Sequence, residues 1–142
     1  MMASYPSPAP ASRAMLRAGR IFSALAVLFL VFDGVIKVMV IAPVVEGFAR
    51  LGLPSHLPVT IGLFELGLLA IYLIPSSSVL GALLLTGFLG GATVLHVRVG
   101  DPVFSHILFP VYVGLLLWGG LWLRDSRLRA LIPLQRQSPA MS

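Results

Sequence analysis

Apolar positions fall in four long runs separated by short breaks of polar and turn-forming residues. Residues 21–41, 57–74, 79–97 and 106–123 are each almost continuously hydrophobic, and an α-helix needs about 20 such residues to cross a bilayer. The second run stops at Pro75, and a short serine turn at 76–78 leads directly into the third. Those two spans are therefore predicted to form a tight helical hairpin. A Gly-Asp-Pro turn within 98–105 (RVGDPVFS) separates the third run from the fourth. The first connection, residues 41–56, is long for a simple turn and is expected to hold a short interfacial helix between Pro43 and Pro54. The predicted fold is all-α, an integral membrane four-helix bundle over residues 13–134. Disordered tails are expected at 1–12, which is rich in proline and serine, and at 135–142.

Composition supports this reading. Of 142 residues, 58% are hydrophobic and only 11% charged, whereas a soluble domain is about a quarter charged. A water-facing surface could not be covered by so few charges. Arg13, Arg17 and Arg20 precede the first run as in a secretory signal. That run is too long for one and lacks a small-x-small cleavage site, so an uncleaved first span is expected.

The formal net charge of +5 comes mostly from arginines near the chain ends. This is a topology signal, and no nucleic-acid partner is expected. The two terminal regions carry Arg13, Arg17, Arg20, Arg124, Arg127, Arg129 and Arg136, while residues 41–56 and 98–105 carry only Arg50 and Arg98. An even number of spans places both termini on one side, and the positive-inside bias makes that side cytoplasmic. The terminal arginines are also placed to meet anionic head groups. Cysteine is absent, which excludes disulfides, thiolate metal sites and a cysteine nucleophile. Redox chemistry would need a bound cofactor or a partner subunit.

Ionisable residues inside the spans carry the chemical argument, since each costs about 2.5–3.5 kcal/mol at the bilayer centre. Asp33 and Lys37 share one face of the first span at i,i+4. Glu65 sits in the second span with no neighbouring cation in sequence. At about 1.5 Å per residue, Asp33 and Glu65 both lie roughly 12 Å from the helix ends remote from the termini. His96, Arg98, Asp101 and His106 fall near that same end. The expected site is an outward-opening polar pocket lined by Asp33, Lys37, Glu65 and His96, with Arg98 as a further candidate. Such a set could bind a polar head group or move a proton. The same residues would equally serve as an internal ion-pair network that sets helix register.

No metal site is predicted, because ligation by His96 and His106 would need matched depth and orientation, and interfacial histidines commonly only hydrogen-bond. Arg98 and Asp101 also read as anchors for their loop, and His56 as solvated. Gly87, Gly90 and Gly91 of the third run, with Thr86 and Thr93, form a small-residue surface suited to close helix packing, within the bundle in preference to a dimer. Tyr112, Trp118 and Trp122 fit interfacial-belt or packing roles.

The segments FDGVIK (32–37), RLGLP (50–54), IGLFELG (61–67), IPSSSVLGALLLTGFLGGATVLHVRVGDP (74–102) and LFPVYVGLLLWGGLWLRDSRLRALIP (108–133) together resemble the DoxX-like family. The resemblance extends over nearly everything from residue 21 to 133. It implies a small four-helix protein of the bacterial inner membrane, in a wider group associated with quinol oxidase, thiosulfate:quinone oxidoreduction and oxidative-stress complexes. Asp33, Lys37, Glu65, Gly90, Gly91, His96 and Arg98 match the family pattern, which carries no established catalytic role for them.

Three functions compete on this basis. The first is an accessory subunit that binds a quinone-like or other lipophilic molecule and docks a redox partner protein. It would have no intrinsic cofactor and a bound quinone as the relevant ligand. The second is a membrane acid–base enzyme of isomerase type acting on a lipophilic substrate. The third is a structural or assembly protein. Membrane lipid and a second copy of the chain complete the expected partners.

Overall fold

The computed structural model describes residues 10–132. The predicted tails lie outside these residues, apart from positions 10–12, which lead into the first helix. The element order is α1 (Arg13–Met39), α2 (Ala42–Arg50), α3 (Leu57–Leu73), α4 (Ser78–Val99), a π-helical turn (Val103–Ile107), α5 (Phe109–Arg124) and α6 (Ser126–Leu131). The helix α1 starts well before the apolar run because the Ser12 side chain accepts the Met15 N–H and caps it. The expected interfacial helix between Pro43 and Pro54 is α2. It opens with Pro43 in its first turn, where a missing N–H costs nothing.

Helix α1 packs against α3 and α5, and α4 packs against the same two. The four long helices therefore form a ring in which consecutive spans are neighbours and run antiparallel, with both described chain ends at one end of the bundle. The stretches Arg13–Met39, Ser78–Val99 and Val103–Arg124 are long and apolar enough to cross a membrane. The 17 residues of α3 reach about 25 Å, slightly less than the hydrocarbon core of about 30 Å. Leu28, Leu63, Leu83, Val94 and Leu115 are exposed on the outside of the ring. An apolar surface of this extent is tenable only against lipid, and the molecule is a multi-pass membrane protein.

The packed core occupies the half of the bundle nearer the termini. Leu30, Leu69, Tyr72, Leu85 and Leu117 are fully buried there. Glycines set the helix separations. A Cβ on Gly120 would collide with Ser23 Oγ and lie 2.9 Å from the Gly19 carbonyl, so α1 and α5 touch backbone to backbone. On the other side of α1, a Cβ on Gly62 would lie 2.7 Å from the Gly34 carbonyl. A Cβ on Gly81 would collide with the Tyr72 backbone, which closes the α3–α4 hairpin.

The predicted packing glycines behave otherwise. Among the described residues a Cβ at Gly87, Gly90 or Gly91 meets nothing within 4 Å, so they mediate no close helix contact there. The expectation of internal packing there is corrected: α4 faces open space at these positions, and the close approaches fall on α1, α3, α5 and the start of α4. The short α6 lies beyond the fourth predicted span. Asp125 caps it by accepting the N–H groups of Arg127 and Leu128 at 2.9 and 3.4 Å. Arg129 folds back to donate to the Trp122 and Leu123 carbonyls at the end of α5.

Candidate functional site

In the half of the bundle remote from the termini a cavity of about 740 Å³ lies between the helices. Helix α2 lies across it, contributing Val44, Gly47 and Phe48. The chain reaches this position through Val40, whose φ of 51° turns it sharply at the end of α1. A β-branched residue rarely adopts that conformation, so the placement of α2 is held against a local backbone cost.

Three expected site residues line the cavity: Asp33, Lys37 and His96. Glu65 does not. It is fully buried between α1 and α3, where its Oε2 accepts from Lys37 Nζ at 2.7 Å. Lys37 also pairs with Asp33 one turn before it. The close Gly34–Gly62 crossing makes this triad possible, because a Cβ on Gly62 would lie 2.9 Å from Lys37 Cβ and push the lysine off α3. One ammonium thus serves two carboxylates, and Glu65 Oε1 remains buried with no hydrogen-bond partner among the described residues.

The second polar wall comes from the end of α4. Gly100 adopts a left-handed φ of 70° and lets the Asp101 N–H return to the His96 carbonyl at 3.1 Å, a helix-ending turn that only glycine forms without strain. This brings the Asp101 carboxylate against His96 Nδ1 at 2.5 Å. Arg50 at the end of α2 completes the cluster, 3.1 Å from Asp101. The His96 hydrogen bond is the main reason the Asp101 carboxyl is held below its ordinary value, with the Arg50 charge adding to it against a partial opposing effect of burial. The π-helical turn, formed by wide bonds such as Leu108 N–H to the Val103 carbonyl at 2.9 Å, aims His106 at His96. Their rings meet edge to face with centroids 5.7 Å apart.

Arg98 does not line the cavity; it donates to the Leu51 carbonyl, tying the segment after α2 to α4. Its inclusion among the pocket residues is corrected by this geometry: it holds the cover in place. The expected polar pocket is also corrected in character, since the cavity lining is mostly apolar. Phe29, Phe48, Phe64, Phe88 and Phe109 surround it, with Phe29 and Phe109 in edge contact at 4.8 Å. Gly87 and Gly91 form part of the wall, and their missing side chains leave the volume open. These aromatic residues escaped the sequence reading because a phenylalanine facing lipid and one facing a cavity look alike in an apolar run. The isolated glycines in α4 were the available signal.

Among the described residues no group of three or more histidines or acids is placed to hold a metal ion. The model of the DoxX-like family matches residues 21–120, a stretch that spans most of α1 and all of α2, α3 and α4, and reaches well into α5. No curated protein and no solved structure matches the chain.

Proposed function

The chain belongs to the DoxX-like family, and from that premise we propose that it binds a lipophilic molecule with a quinone-like polar head, as an accessory subunit of a redox complex in the bacterial inner membrane. The observation that carries this reading is the α2-covered cavity of about 740 Å³, within the range of sites for small ligands. Its aromatic lining suits a flat ring. Lys37 on one wall and His96 and His106 on the other offer donors for oxygens on that ring. A quinone, when bound, supplies two-electron acceptor chemistry, and this chain has no cysteine with which to relay electrons itself. A partner subunit therefore delivers them. In this reading Lys37 and the histidines orient the head group, and α2 excludes water.

The charges alone would not support a ligand. Lys37 is already paired with both carboxylates, which suits a clamp between α1 and α3, and the volume beside them is what asks for an occupant. The test is mass spectrometry of the protein extracted in native lipid discs, compared with Gly91→Leu, which fills the cavity from an open position. A quinone or similar lipophile should be enriched in the wild type and lost in the variant while the fold persists. Bulk lipid alone in both samples would sink the proposal.

A further inference from the structure

A second cavity lies at the opposite end of the bundle, beside the chain termini. Its volume is about 450 Å³, between α1, α3, the start of α4, α5 and α6. Val27 and Leu121 form apolar floor and wall, while Arg124 and Arg127 lie at the rim. A buried hydroxyl network positions the first of these arginines. Tyr72 is 1% exposed, and its hydroxyl meets Ser23 Oγ at 3.0 Å and the Leu117 carbonyl at 3.3 Å. Arg124 donates to the same hydroxyl at 3.5 Å, with its guanidinium carbon 6.0 Å from the ring centre.

Asp125 borders the cleft, but its carboxylate is turned to the N–H groups at the start of α6. No ion pair among the described residues includes Arg124 or Arg127. Two unpaired arginines over an apolar cleft, at the depth where the spans end, match a group with a phosphate above and hydrocarbon below. Guanidinium suits phosphate because its planar donors meet two oxygens at once.

We propose that this cleft is a phosphate-binding site served by Arg124 and Arg127, for which the head group of an anionic phospholipid and free inorganic phosphate share the required chemistry. The apolar floor favours the lipid, whose glycerol and upper acyl atoms would cover Val27 and Leu121. The site is independent of the cavity under α2.

The experiment reconstitutes the full chain in discs of phosphatidylcholine containing a minor share of phosphatidylglycerol, and measures retained lipid by native mass spectrometry. A parallel arm uses pure phosphatidylcholine discs with added inorganic phosphate. Phosphatidylglycerol should be retained by the wild type, and Arg124→Gln/Arg127→Gln should lower retention by about tenfold. The control Arg13→Gln/Arg17→Gln removes equal charge from the same end of the bundle, outside the cleft, and should change retention less than about twofold. Binding of inorganic phosphate that the cleft variant loses, without retention of phosphatidylglycerol, would support the site with a soluble source. Equal loss in both double variants, or no binding in either arm, would overturn it. Should loss of Arg124 from Tyr72 impair folding, the exposed Arg127→Gln alone decides between the same outcomes.

Discussion

Lys37 and Glu65 meet at 2.7 Å across the α1–α3 contact, although 28 residues separate them in the chain. The pair, with Asp33, converts three isolated charges into one locally compensated group, and its energetics follow from what remains when a member is removed. Lys37→Met leaves two carboxylates facing each other in a weakly polar setting and should destabilise the protein by about 3–5 kcal/mol. Neutralising all three, as Asp33→Asn/Lys37→Met/Glu65→Gln, should recover most of that loss. Unfolding of the purified variants in detergent measures both, and a wild-type-like Lys37→Met would show that the triad is not structural.

The glycines should separate into two classes. Gly62→Ala and Gly120→Ala force a methyl against backbone or Ser23 and should cost about 1–3 kcal/mol through overpacking. Gly87→Ala and Gly91→Ala add a methyl to open space and should leave stability unchanged or raised by up to about 1 kcal/mol, since alanine favours helix. The same unfolding assay distinguishes them, and equal costs at all four sites would contradict the packing described.

Acid should loosen α2. The fold holds the Asp101 carboxyl below its ordinary value of 3.8, so it favours the charged form. The contribution of the His96–Asp101–Arg50 cluster is therefore complete above that ordinary value and is lost as pH falls through the lower folded one. The protection of the α2 amides, meaning their exchange relative to the intrinsic rate at each pH, should fall on strong acidification in the wild type. In Asp101→Asn that protection should be lower already at neutral pH and change little further on acidification; an unchanged acid response in that variant would exclude Asp101 as the titrating group.

The two ends of the bundle should be accessible from opposite sides of the membrane. Because the chain has no cysteine, single substitutions report cleanly. Phe104→Cys, at a position 79% exposed in the π-helical turn, should react with an impermeant maleimide on intact cells. Ser126→Cys should react only after the membrane is permeabilised. The reverse pattern would invert the orientation drawn from the arginines.

The runs of apolar residues determined by themselves that the chain spans a membrane as an all-α bundle, because a backbone in lipid must satisfy its hydrogen bonds within each span. The first connection was also legible: a stretch too long for a simple turn, bounded by Pro43 and Pro54, was enough to predict α2. Local rules likewise paired Asp33 with Lys37, four residues apart. What only the tertiary structure decided was which residues meet across helices. Gly34 and Gly62 determine that Lys37 reaches Glu65, yet Gly87 and Gly91, identical in type and equally helical, border open space. The left-handed turn at Gly100 sets Asp101 against His96, and the packing turns five phenylalanines toward a cavity and leaves others facing lipid. In a soluble helix the polar face would have marked the inside and outside in advance. Here both faces are apolar, since lipid and core ask for the same side chains, and the sidedness that places a site exists only once the helices have packed.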